Sequence, residues 1–509
     1  MTPPIWDEPG IESDGPLTRD RTTDVCVVGA GIAGLTTAYL LARAGREVIV
    51  LDAAAIAGGE SWRTTAHLVN ALDRGWSTLV ATHGEDHARC AAKSHTAAIE
   101  TIGRIAREEG IDCDFARVDG YLFAATADDS DALAAERDAA HAAGLGDVEL
   151  LPRVPLAGVE TGACLRFPGQ GRVHATRYLR GLAAAARRHG ATLATPVQAI
   201  DVQDGDALRV HTAAGPTVTA GAVVVATNTP FSSRFAIHTK QAAYRTYAIA
   251  AGVPHGAIGD ALYWDTEDPF HYVRLSPGTG GEDLLIVGGE DHKTGQDDQG
   301  HSSRFARLES WMRTRFPAVG RVTARWSGQV TESMDGLAFI GPIDAESRLF
   351  VITGDSGDGY THGTIGGLLL SDLIAGRLSP WSATYDPSRV RLRALPTFAQ
   401  ENLNVARQLG DWIQRGSATD TAHVPPGTGA IVRRGLTPVA VYRDPAGQLH
   451  ERSAVCPHLG CIVRWNTGER SWDCPCHGSR FDPTGRVMHG PAHRDLAPVS
   501  EESEGAVAD

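Results

Sequence analysis

Two short segments near the C-terminus each pair a cysteine with a histidine. Cys456 and His458 are separated by one residue, and after fifteen further residues Cys474 is followed by His477. Together they supply two thiolates and two imidazoles, the ligand set of a 2Fe–2S cluster in which sulfur binds one iron and nitrogen the other. Mixed Cys/His sets with short spacings also bind structural zinc, which is the alternative interpretation. The iron–sulfur interpretation predicts transfer of single electrons.

The context of these residues favours iron over zinc. Segments 456–461 and 474–479 resemble the cluster-binding loops of Rieske iron–sulfur domains of the cytochrome bc type. The resemblance implies that Cys461 and Cys476 form a disulfide between the two loops, a pair that dioxygenase-type Rieske domains usually lack. We expect this bond to persist in a reducing compartment, because burial beside the cluster shields it. The implied cluster ligands are Cys456, His458, Cys474 and His477.

A second motif, near the N-terminus, predicts a nucleotide site. An apolar strand at 24–28 leads into a Gly-x-Gly-x-x-Gly turn, a run of helix formers follows, and a second apolar strand ends at Asp52. The glycines permit the tight turn, the approach of a pyrophosphate and close helix–strand packing, in that order. Asp52 is placed to accept hydrogen bonds from a ribose diol. The predicted contacts of this unit are Gly29, Gly31, Ile32, Ala33, Gly34, Asp52 and Ala53.

The glycine motif does not distinguish NAD from FAD, but later segments do. These segments are 58–66, 223–230, 326–329, 335–342 and 354–361. Their sequences and order resemble the D-amino-acid-oxidase group of FAD-dependent oxidoreductases, which includes glycine and sarcosine oxidases, over residues 21–395. The resemblance implies FAD, with contacts at Ser61, Arg63, Thr64, Thr65, Val197, Gly354, Gly357, Gly359 and Thr361.

Some members of this group attach the flavin covalently through a histidine beside a tryptophan. Here Trp62 is followed by Arg63, and His67 lies four residues beyond Arg63. We therefore expect FAD to be bound non-covalently.

Strand-like stretches with aromatic residues are expected to build the substrate pocket, at 242–251, 261–275 and 283–288. In the resembling group such stretches form an antiparallel sheet that covers the flavin. An arginine on this sheet could hold a substrate carboxylate through paired hydrogen bonds. Side chains alternate along a strand, so Tyr272 and Arg274 face one way and His271 the other. The candidate catalytic or pocket residues are His67, Tyr244, Arg245, Tyr247, Tyr263, His271, Tyr272 and Arg274.

The sequence predicts a multidomain chain with four regions. An N-terminal arm at 1–20 precedes an α/β Rossmann-like FAD-binding domain that is interleaved with an antiparallel-sheet substrate domain over 21–395. A helical linker is expected at 396–423, and a small all-β Rieske domain at 424–505. The linker carries apolar residues at near-helical intervals, which predicts a buried stripe. These residues are Phe398, Leu403, Ala406, Leu409, Trp412 and Ile413.

The composition of the chain indicates which binding partners and which cellular compartment to expect. The 509 residues have a formal net charge of −14, which argues against nucleic acid and anionic membranes. The sequence has neither a signal-like start nor an apolar run near eighteen residues, so we expect a soluble, cytoplasmic protein without a membrane span. The scattered cysteines Cys26, Cys90, Cys113 and Cys164 are expected to be reduced thiols.

These features predict a flavin-dependent dehydrogenase. A small amine or amino acid would reduce FAD, and electrons would pass singly through the Rieske cluster to an external acceptor such as a ferredoxin, a cytochrome or a quinone. One alternative is reversed flow from a donor through the cluster to FAD, in a reductase or monooxygenase. Another is a non-enzymic electron carrier. A Rieske non-haem oxygenase is disfavoured, because the sequence lacks the local motif of two histidines and a carboxylate for a second iron.

Overall fold

The structure is a computed structural model. It describes residues 1–6, 10–126, 130–156, 161–231, 236–278, 280–297, 299–344, 346–408, 411–412 and 417–499. The predicted linker residues Leu409 and Ile413, and residues 500–505 of the predicted Rieske domain, lie outside these ranges.

The elements are numbered in chain order. Helices α1 to α10 are Ile32–Arg43, Glu60–Arg63, Trp76–His83, Glu85–Glu108, Ser130–Ala142, Ala175–Arg188, His301–Arg315, Gly359–Ile374, Ser382–Tyr385 and Leu395–Gln408. Strands β1 to β12 are Arg21–Val28, Val48–Leu51, His67–Leu68, Ala116–Phe123, Glu149–Leu151, Cys164–Arg172, Thr192–Ala194, Ala199–Gln203, Leu208–Thr212, Thr217–Val225, Gln241–Pro254 and Leu262–Asp265. Strands β13 to β24 are His271–Ser276, Glu282–Lys293, Val322–Ser333, Phe339–Pro342, Leu349–Thr353, Thr428–Arg434, Thr437–Arg443, Leu449–Ser453, Arg464–Asn466, Ser471–Asp473, Arg480–Phe481 and Val487–His489.

The first sheet has the predicted α/β arrangement. Its main path runs β16-β17-β10-β1-β2-β7, and all pairs from β17 to β7 are parallel. Val25 and Val27 of β1 pack into one buried cluster, whereas Cys26 and Val28 pack into another on the opposite face. Because both faces are covered, this strand reads as a continuous apolar run in the sequence.

The second sheet is mainly antiparallel and follows the order β15-β11-β14-β13-β12-β4-β6-β3. Helix α7 covers one face, where Phe305, Leu308 and Met312 pack with Val273 and Leu285 in one buried cluster. The stretch at 261–275 forms two paired strands, β12 and β13, rather than one. The chain crosses repeatedly between the two sheets, so each sheet is assembled from several separate segments of the chain.

The C-terminal region is all-β, as predicted. It contains the three-stranded sheet β18-β19-β20 and the four-stranded sheet β21-β22-β23-β24. Its apolar core includes Trp472 and Phe481 together with buried cysteines. Both sheets are small, so much of the stability of this region must come from its core contacts and cross-links.

The predicted apolar stripe of the linker helix is wrong. Helix α10 ends at Gln408, none of its residues is fully buried, and Leu403 is 60% exposed. Val405 packs against the C-terminal core, but polar contacts also hold the helix in place. Glu401 accepts from Lys293 at 2.5 Å and from the Tyr244 hydroxyl at 3.3 Å. The helix lies on the surface because it is anchored at a few points rather than along one face.

A buried ion-pair network joins the C-terminal domain to the antiparallel sheet. Glu469, in the turn between β21 and β22, contacts Arg245 of β11 at 2.6 Å and Arg480 of β23 at 2.8 Å. It also accepts from the Ser327 hydroxyl. Burial opposes ionisation of Glu469, but Arg245, Arg480 and Arg63 outweigh it and hold the pKa of the carboxyl well below its usual range. The network therefore stays ionised at neutral pH.

Replacing Glu469 tests this network. Glu469→Gln keeps the shape of the side chain but leaves Arg245 and Arg480 buried without that charge, so the free energy of unfolding should fall by about 3–5 kcal/mol. Since the folded pKa is lowered, the wild-type contribution should persist at neutral pH and disappear only in strong acid. Urea unfolding measures both effects.

The matched control is Glu149→Gln. Glu149 pairs with Arg166 at 3.1 Å, but its side chain is 57% exposed. The control should cost less than about 1 kcal/mol. Equally small losses in both variants would contradict a stabilising role for the network.

Candidate functional site

A cavity of about 730 Å³ lies between the two large sheets and the C-terminal domain. Val28 of the parallel sheet, Tyr272 and Val330 of the antiparallel sheet, and His489 of the C-terminal domain all line it. Its volume falls within the range of about 300–1,000 Å³ that is usual for small-molecule and cofactor sites.

The start of helix α1 has the shape that a dinucleotide needs. Gly29 has φ +110°, and a Cβ added there would lie 2.3 Å from the Ala226 carbonyl oxygen. A Cβ at Gly31 would lie 2.8 Å from Ser61 Oγ. That hydroxyl accepts a hydrogen bond from the Ile32 amide at 3.0 Å. The glycines thus keep the helix N-terminus open toward the cavity, where its dipole favours phosphate.

Most of the predicted FAD contacts line the cavity. Those that do are Gly29, Gly31, Ile32, Ala33, Asp52, Ala53, Ser61, Arg63, Thr64, Thr65, Val197, Gly357 and Gly359. Gly34, Gly354 and Thr361 do not. A Cβ at Gly34 would lie 1.8 Å from the Gly29 carbonyl oxygen, so this glycine serves helix–strand packing. Gly354 is enclosed by Phe339, Gln241 and Ser333, and Thr361 donates to the Asp358 carbonyl at 3.0 Å.

Asp52 has a second task besides the predicted ribose contact. Its carboxylate accepts hydrogen bonds from the Ala30 amide at 2.7 Å and from the Ala54 amide at 2.9 Å. These bonds tie the end of β2 to the glycine turn. The carboxylate still lines the cavity, so its remaining lone pairs can accept from a ribose diol.

The four predicted cluster ligands converge in the C-terminal domain. Cys456 and Cys474 are 1% and 2% exposed, and the rings of His458 and His477 are 5.0 Å apart. The Nδ1 atoms of both histidines are buried without a hydrogen-bond partner among the described residues. Two thiols beside two orphaned imidazole nitrogens fit a 2Fe–2S cluster with mixed ligands.

Cys461 and Cys476 are joined by a disulfide in the structure. The backbone around it is also tied, since the Cys456 amide donates to the Cys461 carbonyl at 2.8 Å. The Ser479 hydroxyl accepts from the Ala492 amide at 3.0 Å and is hydrogen-bonded to the Cys456 sulfur. The two loops are therefore held on both sides of the ligand set.

His238, which the sequence analysis missed, lies against the cluster loops. It belongs to the flavoprotein half of the chain, in the turn before β11, and is 7% exposed. Its ring lies 5.0 Å from the ring of His458 and 6.3 Å from that of His477. Nothing in the local sequence marks it, because its importance comes from a contact across more than 200 residues.

Arg274 is not the predicted carboxylate clamp. Its Nη1 donates to the carbonyls of Thr65, Ala66 and Val173 at 2.7–3.0 Å, and its Nε donates to Leu275 at 3.0 Å. The side chain is fully buried and does not line the cavity. The guanidinium supports the 65–66 segment instead of facing a ligand.

Three other predicted pocket residues also lie outside the cavity wall. Arg245 is ion-paired with Glu469 in the interdomain network. His271 pairs with Asp265 at 3.0 Å and stacks on Trp311 at 4.3 Å, on the α7 side of the sheet. Tyr263 donates to the Gly259 carbonyl at 2.8 Å within the same core. All three are wrong as cavity residues, because strand alternation does not reveal which face is turned inward.

Tyr244 and Tyr247 likewise do not line the cavity. Tyr244 contacts Glu401 on the surface helix, and Tyr247 packs in the α7 core with its hydroxyl 3.0 Å from His292 Nε2.

His67 and Tyr272 do line the cavity. The His67 Nδ1 lies 3.0 Å from Thr65 Oγ1, and its Nε2 lies 3.4 Å from the Val273 carbonyl. Burial, together with Arg274, lowers the pKa of His67 to about 3, so the imidazole is neutral. Both ring nitrogens have polar neighbours in Thr65 Oγ1 and the Val273 carbonyl.

Besides Asp52, Glu60 and Asp495, five carboxylates line the cavity wall that no local sequence pattern marks. They are Asp73, Asp291, Glu332, Asp355 and Asp358. Burial raises the pKa of Asp291 and of Asp355 to about 7. The pKa of Asp358 is also raised by burial and by neighbouring carboxylates. No motif joins these residues, because they come from four separate segments of the chain.

The structure brings His95, Asp358 and His362 within 4.8 Å, a grouping of two histidines and a carboxylate. His362 is already engaged on both ring nitrogens, by the Asp355 carbonyl at 2.8 Å and the Ala338 amide at 3.5 Å. His95 Nδ1 is bonded to the Ala91 carbonyl at 2.8 Å. This arrangement leaves too few free nitrogen ligands for a second iron site.

Comparison with known families agrees with both halves of this geometry. Residues 24–373 match the family described as FAD dependent oxidoreductase, and residues 415–500 match the Rieske 2Fe-2S domain. The chain belongs to the FAD dependent oxidoreductase family. It is an oxidoreductase whose cofactors are FAD and a 2Fe–2S cluster, so the zinc alternative is set aside.

Individual relatives match either nearly the whole chain or about three-quarters of it. A putative Rieske 2Fe-2S iron-sulfur protein, YhfW of Bacillus subtilis (strain 168), is 28% identical over 486 residues, 95% of this chain and 94% of that protein. Gamma-glutamylputrescine oxidoreductase of Escherichia coli (strain K12) is 28% identical over 376 residues, 71% of this chain and 85% of that protein. Glycine oxidase from Geobacillus kaustophilus shares the fold, with a TM-score of 0.62, 20% identity, and coverage of 73% of this chain and 99% of that one.

Within the described residues, each helix is too short or too polar to cross a membrane.

The cluster ligands can be tested separately from the flavin site. Cys474→Ser should abolish the low-temperature paramagnetic signal of the reduced cluster and lower the iron content, while FAD remains bound. The control, Cys90→Ser, changes a half-buried thiol beside Pro380 and should leave the signal intact. Retention of iron and signal in Cys474→Ser would show that this cysteine is not a ligand.

The open space at Gly31, at the N-terminus of α1, can be tested by substituting a larger residue. Gly31→Val should displace Ser61 and exclude FAD, whereas Gly146→Val adds atoms where nothing lies within 4 Å of the Cβ and should retain FAD. Asp52→Ala should weaken FAD binding by about 1–3 kcal/mol through lost hydrogen bonds. FAD content and titration of the apoprotein measure both. Normal FAD affinity in Gly31→Val and Asp52→Ala would contradict this assignment.

Acid denaturation tests the mode of attachment separately. It should release free FAD, because the flavin is expected to be bound non-covalently.

Proposed function

We propose that this protein is a dehydrogenase of a small amine or amino acid, and that its electrons leave singly through the Rieske cluster to an external acceptor. The observation that carries this proposal is the position of Gln329. Its side chain lines the cavity, and its Nε2 donates to the Gly478 carbonyl, next to His477, at 3.0 Å. One side chain thus contacts both the flavin cavity and a cluster loop.

Other contacts support close coupling of the two sites. Residues 487–490 and His493 of the C-terminal domain line the cavity, so the Rieske domain closes part of the cofactor site. Gly478 has φ +75°, and a Cβ there would lie 2.3 Å from Ala243 Cβ. This glycine lets the second cluster loop approach β11. A fixed neighbour receives electrons at a high effective concentration, without a diffusional encounter.

The chain's own residues orient and shield the reaction. When bound, FAD accepts a hydride from the carbon beside the substrate nitrogen and can release the two electrons one at a time. Ser61 and the α1 N-terminus would hold the phosphates, and the 354–359 turn lies at the cavity wall. The antiparallel sheet and the Rieske domain both contribute residues to the wall of this volume. The similarity to gamma-glutamylputrescine oxidoreductase supports an amine or amino acid as substrate.

The acceptor is proposed to be a one-electron protein or a quinone. Two electrons arrive at the flavin together, whereas a 2Fe–2S centre transfers one at a time. A ferredoxin or a cytochrome would match that stoichiometry.

Anaerobic reduction tests the proposal. The holoenzyme is mixed with a panel of amines and amino acids while the flavin absorbance and the cluster's paramagnetic signal are recorded. A productive substrate should bleach the flavin and then generate the signal, and Cys474→Ser should bleach without producing it. If an external donor reduces the cluster and then the flavin, but no amine or amino acid bleaches the flavin, electron flow is reversed and the proposal is wrong.

A further inference from the structure

We infer that the substrate site takes an aliphatic amine that carries two positive charges and no carboxylate. This inference rests on the proposed function and narrows its substrate class from amines and amino acids to dications. It starts from the charge of the cavity wall. Among the described lining residues, Arg63 is the only arginine or lysine, and it lies 3.7 Å from Glu469 and donates to the Ser327 carbonyl. The five carboxylates therefore face a space without a free cation.

Several of these carboxylate groups lack a partner. Asp358 is 7% exposed, lines the cavity, and makes neither a side-chain hydrogen bond nor an ion pair with the described residues. One oxygen each of Asp291 and Asp355 is buried without a hydrogen-bond partner among the described residues. A buried, unpaired carboxylate is costly, and a bound cation would offset that cost.

The remaining two carboxylates extend the same surface. Glu332 lines the cavity and is partly balanced by Arg74, 3.5 Å away. Asp73 lines the cavity within electrostatic range of Glu332 and Asp291. Mutual repulsion among these groups makes the wall receptive to more than one positive charge. A diamine has two charges separated by a flexible chain, so it can satisfy two parts of the wall at once.

An aromatic surface adjoins the carboxylates. Trp264 and Tyr272 are opposite each other on β12 and β13, and the Phe270 ring lies 5.8 Å from that of Tyr272. All three line the cavity. Glycines make room for two of the rings: a Cβ at Gly288 would lie 2.1 Å from Tyr272, and one at Gly120 would lie 2.7 Å from Trp264. Aromatic faces attract alkylammonium groups and pack against methylene chains.

The aromatic and acidic surfaces are physically linked through Thr246. Its hydroxyl lies 2.8 Å from the Tyr272 hydroxyl and is also hydrogen-bonded to Asp291. A ring face and a carboxylate are thus held side by side, as recognition of an ammonium group requires.

The same wall disfavours a substrate carboxylate. An amino acid would bring a carboxylate next to the carboxyl groups of Asp73, Asp291 or Glu332, where no free cation balances it. It would repel each of these groups that is ionised, and the low local dielectric strengthens that repulsion, whereas a bound ammonium group would favour their ionised form. Arg274, which could have neutralised it, is held by four backbone hydrogen bonds. Specificity here would come from repulsion of the wrong ligand as well as attraction of the right one.

Three probes of matched length test the inference on the oxidised holoenzyme. Cadaverine has two ammonium groups, lysine adds a carboxylate to the same skeleton, and 5-aminopentanoate replaces one ammonium with a carboxylate. Binding is followed by the flavin difference spectrum and by calorimetry. Cadaverine should bind at least about tenfold more tightly than either carboxylate-bearing probe, and its affinity should fall with added salt.

Two variants and one control locate the site. Asp291→Asn and Asp358→Asn should each weaken cadaverine binding about tenfold and reduce the preference over lysine. Asp147→Asn, at an exposed carboxylate remote from the cavity wall, should leave binding unchanged. Equal or tighter binding of lysine or 5-aminopentanoate to the wild type overturns the inference, as does undetectable cadaverine binding or an unaltered Asp291→Asn variant. Cadaverine binding, in a protein whose flavin is reduced by no amine or amino acid of the panel, supports this site and contradicts the proposed function, so the two failures are distinguishable.

Discussion

The buried ion-pair network around Glu469 is the interaction on which the arrangement of the two redox sites depends. Glu469, Arg245, Arg480 and Asp473 have side chains that are at most 6% exposed. Separating the Rieske domain from the antiparallel sheet would leave Arg245 and Ser327 without their partner across the interface. Removing one member of such a buried set costs far more than losing a surface ion pair. The network therefore fixes the position of one domain on the other.

This fixed position determines what surrounds each redox site. The cluster histidines face His238, and the second cluster loop contacts Gln329 and Ala243 of the antiparallel sheet. Residues just beyond that loop close the cavity in which FAD fits. The coupling of the two sites is thus a property of packing between domains. A freely tethered Rieske domain would leave the cavity open on one side and the histidines exposed to water.

The cavity wall is built at a cost to stability. The carboxyl group of Asp358 and one carboxyl oxygen of Asp291 lack partners among the described residues, which opposes folding, whereas Arg274 holds the backbone of 65–66 in place. Such an arrangement is expected where the missing partner is a ligand, because binding then supplies the compensating charge. Gly120 and Gly288 likewise contribute no side-chain packing, and the space that they leave lets Trp264 and Tyr272 lie flat on the sheet.

The sequence by itself determined the two cofactors and the fold class. The Gly29–Gly34 turn and the Cys/His pairs at 456–477 act over a few residues, so their spacing indicates a dinucleotide site and a metal centre, and the resemblance of longer segments to known families narrows these to FAD and a 2Fe–2S cluster. The tertiary structure decided which side chains face the cavity. Period-two alternation sorts β13 into two faces, but only packing of α7 on one of them shows that His271 points away and Tyr272 inward. Arg274 shares the inward face, yet the carbonyls of a distant segment occupy it. His238, Glu469 and the five cavity carboxylates depend on contacts between segments far apart in sequence, and such contacts leave no local pattern.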